Sequence, residues 1–254
     1  MHNQPVFSVI LTCYNRIRYI EKCVDAILRQ TFSDFELIII DDCSSDGTYE
    51  MLYSFKDERI SIYKTQFQSG SPSTPRNIGL KFAKGKYLAF CDSDDFYNLN
   101  HLENALNLIN TFSLSKFILG FNANVVDKDG ERGTYFDINN SIYFRKISFF
   151  NMFSSNKIIH SSLILSNEEI YCFRNYRGPN EDYLFLLDNM AIKDVYYCNI
   201  PDVNYYFKSS NSTSKNNSRI ILFKYKYYYF SFPIKFLYTY PYFIMRDFIK
   251  ILLK

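Results

Sequence analysis

Short, unbroken apolar runs alternate with helix-patterned segments through the first hundred residues. Phe7 to Thr12, Phe35 to Ile40, Ile60 to Tyr63 and Tyr87 to Phe90 read as strands. Between them, Tyr19 to Gln30, Thr48 to Phe55 and Pro75 to Lys84 carry helical spacing, with Ile20, Cys23/Val24 and Ile27/Leu28 on one face of the first. A strand with one wet face alternates apolar and polar residues, whereas a strand covered on both faces is apolar throughout. The pattern therefore predicts an α/β fold, with a Rossmann-like, mainly parallel sheet and helices on both faces. At 254 residues and 47% hydrophobic content the chain can bury such a core.

In a parallel sheet the C-terminal strand ends share one rim, and ligands of open α/β sheets bind there. Three strand ends carry polar groups: Thr12-Cys13-Tyr14-Asn15, Asp41-Asp42-Cys43-Ser44 and Cys91-Asp92-Ser93-Asp94-Asp95. By itself the last reads either as a solvated Asp-rich turn or as a cation site. Crowded carboxylates repel one another, and a divalent ion among them, Mg²⁺ or Mn²⁺, relieves this while bridging to a substrate's phosphates. Three such ends on one rim favour a nucleotide site.

Beyond the acids, Leu99 to Phe112 reads as a helix and Phe117 to Val126 as a strand. Asp127-Lys128-Asp129-Gly130 signals a turn, with a hairpin returning through Thr134 to Phe136. Arg145 to Phe153 and Glu181 to Ile192 are expected as helices, Ser161 to Leu165 and Val195 to Cys198 as strands. Ser209 to Ser218 is polar and Asn/Ser-rich, the best linker candidate. The expected organisation is a main domain over 1–208 (a half, 1–98, that carries the nucleotide-site residues, and a second half, 99–208), a linker or flap over 209–218, and a C-terminal segment over 219–254. The six cysteines show neither CxxC pairing nor zinc spacing, which fits a reducing compartment. Met1-His2-Asn3-Gln4-Pro5 leads straight into the first strand and has no signal-peptide pattern. A formal charge of +3 gives no support to nucleic-acid binding.

The N-terminal motifs resemble glycosyltransferase family 2, the inverting GT-A enzymes that use nucleotide sugars. The resemblance runs over about residues 5 to 100. It rests on Phe7 to Asn15, Ile27-Leu28-Arg29-Gln30-Thr31-Phe32, Phe35 to Gly47, Pro75-Arg76-Asn77-Ile78-Gly79-Leu80, Ala83 to Tyr87 and Asp92-Ser93-Asp94-Asp95. Two positions depart from the family's pattern, Ser73-Thr74-Pro75 before Arg76 and Cys43 in the Asp-Asp-x-Ser turn. The resemblance implies that Thr12, Tyr14, Asn15, Asp42, Arg76 and Asp92 hold the donor nucleotide, a UDP-sugar being favoured. Asp94 and Asp95 are then the metal ligands within the D-x-D region. Gly178-Pro179-Asn180-Glu181-Asp182 resembles the family's Glu-Asp signature, making Asp182 the general base and Glu181 its alternative; the rival role for both is N-terminal helix stabilisation. His160 is a candidate for the acceptor cleft or a structural histidine. Lys208 and Ser212 resemble the family's basic-then-Ser-x-Ser flap.

The implied activity is inverting, hexosyltransferase-type transfer to a glycan or lipid-linked hydroxyl in surface polysaccharide or lipopolysaccharide assembly. From Arg219 to Lys254 seven Lys/Arg residues face the single acid Asp247, among many Tyr and Phe. Pro233, Pro241 and the lysines break any membrane span, but aromatic-basic composition suits a bilayer interface. The chain is thus expected in the cytoplasm, peripheral on the inner face of the cytoplasmic membrane. A haloacid-dehalogenase-like phosphatase would want Thr or Val where Phe96 stands, and a nucleotidylyltransferase would want a Gly-rich loop in place of Cys13-Tyr14-Asn15-Arg16. The remaining alternative is a catalytically inactive nucleotide-sugar-binding or membrane-surface module.

Overall fold

The computed structural model describes residues 4–127, 130–135, 142–148, 151–152, 156, 158–175 and 181–206. Lys208, Ser212, the 209–218 stretch and the 219–254 segment lie outside these. The elements run β1 (Phe7–Cys13), α1 (Ile20–Leu28), β2 (Phe35–Asp41), α2 (Thr48–Leu52), β3 (Ile60–Lys64), α3 (Ser73–Phe82) and β4 (Tyr87–Asp92). They continue β5 (Phe96–Tyr97), α4 (His101–Thr111), β6 (Phe117–Asp127), β7 (Gly130–Thr134), β8 (Phe144–Ile147), β9 (Ile164–Ser166), α5 (Glu181–Asn189) and β10 (Asp194–Tyr206). A 3₁₀ turn at His160–Ser162 precedes β9.

One sheet holds all ten described strands, in the order β3-β2-β1-β4-β9-β6-β10-β5, with β7 on β6 and β8 on β10. From β3 to β4 every pairing is parallel. The continuous apolar runs are explained by burial on both faces. Phe7, Val9 and Leu11 share a core with Ile20, Cys23, Val24 and Ile27 of α1. Ile10 points the other way, so close to α3 that a Cβ on Gly79 would lie 2.5 Å from its Cγ2. Side chains that alternate across a strand thus meet a helix on either side.

Beyond β4 the sheet is mixed. β9 lies antiparallel between β4 and β6, and β10 runs parallel to β6. The expected hairpin forms as β6–β7. The expected helix over Arg145 to Phe153 does not begin as one: Phe144–Ile147 is β8, antiparallel to β10. Ring packing overrides local helix propensity here, with Phe144 stacked on Phe112 at 4.3 Å and on Tyr196 at 5.4 Å. β10 shifts register on either side of Pro201, which has no N–H to give the ladder. No helix among the described residues is long and apolar enough to cross a membrane.

Candidate active site

The parallel ends of β1, β2 and β4 open onto a cleft of about 420 Å³, lined by Thr12, Tyr14, Asp42, Arg76, Asp92 and Asp94 together with Arg16 and Glu181. Six of the expected donor-site and metal residues therefore converge, although up to 82 residues separate them in the chain.

Asn15 does not line this cleft. Its backbone sits at φ +50°, a conformation Asn tolerates better than most residues. Its N–H donates to Ser44 Oγ at 2.9 Å, and its side-chain oxygen accepts from Ser45 N at 2.9 Å. Asn15 ties the β1 loop to the β2 loop, which corrects its assignment as a nucleotide contact. Asp42 is buried, with its carboxylate turned to the loop after β3. It accepts from Thr65 Oγ1 (3.1 Å), Ser69 Oγ (2.8 Å) and Ser69 N (3.1 Å). Gln68, Gly70 and Ser71 of that same loop form one wall of the cleft.

Arg76, only 4% exposed, joins the two halves of the protein. Its guanidinium donates to Asp92 Oδ1 at 2.7 Å and to Glu181 Oε1 at 3.0 Å, and lies 5.4 Å from the centre of the Phe173 ring. Burial disfavours its charge, but the flanking carboxylates outweigh that and keep it protonated. Burial alone would likewise raise the Asp92 pKa, and Arg76 reverses the shift, so Asp92 stays ionised below the usual range.

The acids of the turn divide by direction. Asp94 is half-buried at the cleft, with Arg16 Nη2 at 3.7 Å from its carboxylate. Asp95 points inward and is 2% exposed. One of its oxygens accepts from Ser161 Oγ at 2.6 Å and the other from the Tyr206 N–H at 2.9 Å. Burial first, and then the Asp92 charge, push its pKa well above normal. Its placement corrects the expectation of direct metal ligation, because both oxygens are committed away from the cleft. Ser161 Oγ also accepts from Asp92 N at 3.0 Å, so it braces both sides of the turn.

Among the described residues no three His, Cys, Asp or Glu side chains converge as a preformed metal cage. What faces the cleft is Asp94, with Asp92 beside it held by Arg76. That donor set fits a hard cation which takes one or two carboxylates and completes its shell with phosphate oxygens and water.

Glu181 and Asp182 open α5. Glu181 is spent on Arg76, whereas Asp182 has its pKa raised to about 6, by burial first and then by the Glu181 charge, with Arg76 opposing. Of the two carboxylates, Asp182 is the one poised to accept a proton near neutral pH. His160 does not face the open cleft. It is buried in the 3₁₀ turn, 4.9 Å from the Phe90 ring and 5.8 Å from Phe173. Burial and then Arg76 lower its pKa to about 3, so it is a neutral core histidine.

Arg16, Ser161 and the Ser69 loop were not singled out from the sequence. Arg16 carries a usable signal, a cation three residues beyond the first strand. Ser161 and Ser69 carry none, because their partners are 69 and 27 residues away.

The sequence profile described as Glycosyl transferase family 2 matches residues 8–171. An uncharacterised glycosyltransferase of Haemophilus influenzae is 32% identical over 195 residues, 76% of this chain and 74% of the relative. WfaP of Escherichia coli, a UDP-Glc:α-D-GlcNAc-diphosphoundecaprenol β-1,3-glucosyltransferase, is 34% identical over 122 residues, 48% of this chain and 47% of that enzyme. The crystal structure of S. aureus TarS 1-349 in complex with UDP-GlcNAc matches with a TM-score of 0.68 at 21% identity, covering 86% of this chain and 65% of that one. This last likeness shows the GT-A fold. With the family profile spanning most of the chain, and one relative matched over most of both lengths, the chain belongs to glycosyl transferase family 2.

Proposed function

We propose that this chain transfers a sugar from a nucleotide-sugar donor, of the UDP-sugar class, to a hydroxyl of a glycan or lipid-linked acceptor, with inversion at the anomeric carbon. The observation that carries this reading is Arg76, bonded at once to Asp92 of the donor rim and to Glu181, the neighbour of Asp182, whose pKa is raised to about 6. The names of two similar proteins support the donor and acceptor classes. TarS is described in complex with UDP-GlcNAc, and the E. coli enzyme acts on a diphosphoundecaprenol-linked sugar.

In this reading residues 1–98 hold the donor and 99–208 the acceptor. Tyr14 stacks on the base and Asp42 accepts from it, exchanging one of its bonds to the Ser69 loop. Asp92 lies nearest the ribose. Asp94 holds Mn²⁺ or Mg²⁺, which when bound supplies positive charge against the leaving diphosphate. Arg76 adds a second, fixed positive charge in the same wall. Asp182 takes the acceptor's hydroxyl proton while that oxygen bonds to the anomeric carbon. The bond from that carbon to the diphosphate oxygen breaks on the opposite face, and its electron pair leaves with UDP. Asp95 and Ser161 hold the turn in shape. The basic and aromatic composition of residues 219–254 supports binding at the inner face of the membrane.

UDP release with Mn²⁺ across a donor panel, in the presence of undecaprenyl-diphosphate-linked acceptors, tests the reading. Turnover with one donor that is lost in Asp94→Asn and Asp182→Asn supports it. Tight nucleotide-sugar binding without turnover would instead make the chain a binding module.

A further inference from the structure

Two arginines line the cleft, and they are held in opposite ways. Arg76 is buried, and its guanidinium is committed to Asp92 at 2.7 Å and to Glu181 at 3.0 Å. Arg16 is fixed at its backbone instead. Its N–H donates to Thr48 Oγ1 at 2.8 Å, and the next one, that of Ile17, to Asp46 Oδ2 at 3.1 Å. The Arg16 guanidinium is held loosely. Nη1 lies 3.4 Å from the carbonyl oxygens of Tyr14 and Asn15, and Nη2 lies 3.7 Å from Asp94 Oδ2, all beyond the usual N–H···O range. Nε is buried and meets no hydrogen-bond partner among the described residues. A buried N–H without a partner is costly, so this guanidinium gains more from an anion with several oxygens than from its present contacts.

Charge points the same way. The two arginines stand against four carboxylates in the lining, Asp42, Asp92, Asp94 and Glu181. Arg76 is committed to two of these, which leaves Arg16 as the remaining cation among the described residues of the lining, with Asp94 as the acid it faces. We propose that Arg16 competes with the divalent cation for Asp94 and, once displaced, binds the diphosphate of the donor. This rests on the reading of Asp94 as the metal ligand. Released from Asp94, the planar fork of Arg16 matches two phosphate oxygens. Cation and diphosphate are thereby coupled through one side chain, and by linkage each tightens the other by the same factor.

Binding to the full chain tests this without turnover: Mn²⁺ by electron paramagnetic resonance of the free ion, and UDP or uridine, each with Mn²⁺ present, by calorimetry. Arg16→Ala is expected to bind Mn²⁺ alone about fivefold more tightly, because its rival for Asp94 is gone. The same variant should bind UDP about tenfold more weakly, and uridine, which has no phosphate, as the wild type does. Two opposite shifts from one substitution are not what misfolding produces. Arg18→Ala removes the same charge from an exposed residue outside the lining and should leave all three affinities unchanged. Equal shifts in Arg18→Ala, an unmoved Mn²⁺ affinity in Arg16→Ala, or an unmoved UDP affinity in it overturns the proposal alone. Wild-type UDP binding that ignores Mn²⁺ overturns Asp94 as the metal ligand, and the proposal with it. Failure of the wild type to bind UDP overturns the donor reading itself.

Discussion

The sheet between β3 and β4 and the sheet between β9 and β10 bring polar groups to the same cleft by different means. In the first, parallel strands end together, so Thr12, Asp42 and Asp92 arrive on one rim because of the topology alone. In the second, strands of both directions interleave, and the groups come from a helix start and a 3₁₀ turn: Glu181, which lines the cleft, and Ser161, buried behind it. A parallel rim repeats one local motif, strand then polar loop, whereas a mixed sheet has no such repeat. In the proposed reading, donor recognition can therefore stay fixed while the acceptor side changes.

If the halves divide the labour in this way, substitutions in each should separate chemistry from binding. The largest effect is expected from Asp182→Asn, which should lower kcat by about a thousandfold with UDP affinity unchanged. An equal loss of UDP affinity, measured by titration calorimetry, would break the division. Next, Asp94→Asn should cut turnover by about a hundredfold and abolish the metal dependence of UDP binding, because it removes charge stabilisation of the leaving group. UDP binding that still responds to Mn²⁺ in that variant would return metal binding to another acid.

Packing should be equally tight on both sides. A Cβ at Gly79 would meet Ile10 at 2.5 Å, and one at Gly120 would meet Ile158 at 2.5 Å. Each Gly→Ala change should cost about 1–3 kcal/mol of stability, read from the midpoint of urea unfolding at constant slope. A loss confined to Gly79→Ala would show that the acceptor half yields where the donor half does not.

The smallest effect concerns proton affinity. With the Asp182 pKa near 6, activity should rise with pH by about tenfold per unit below that point and level off above it. Glu181 raises this pKa by its charge and engages Arg76, which lowers it. Glu181→Gln therefore acts in one direction through both routes, moving the limb to lower pH. The ratio of the rate at pH 5 to that at pH 8 should grow about threefold. An unmoved limb would remove Asp182 as the titrating base.

The N-terminal half, residues 1–98, was legible because its signals are local. Continuous apolar runs mark strands covered on both faces, and β1 to β4 begin and end within two residues of the expected limits. The half that follows was less legible. β8 was read as a helix because its partners, Tyr196 and Phe112, are distant in sequence. The two-residue β5 is too short to carry a period. Asn15 was read as a ligand contact because a turn's polar residue looks the same whether it faces a cleft or a neighbouring loop.

By itself the sequence determined the parallel sheet, its rim and most of the residues gathered there, since strand period and chain direction bring the loops after β1, β2 and β4 together. Only the tertiary structure decided which members of that set face the cleft and in what charge state. Asp94 and Asp95 are adjacent in the chain, yet a serine 66 residues further on draws Asp95 inward. Asp182 and Glu181 are likewise adjacent, yet Arg76 claims one and leaves the other to be desolvated. Side-chain direction in a turn and the proton affinity of a carboxylate both depend on what packs against them, and that is fixed only when distant segments meet.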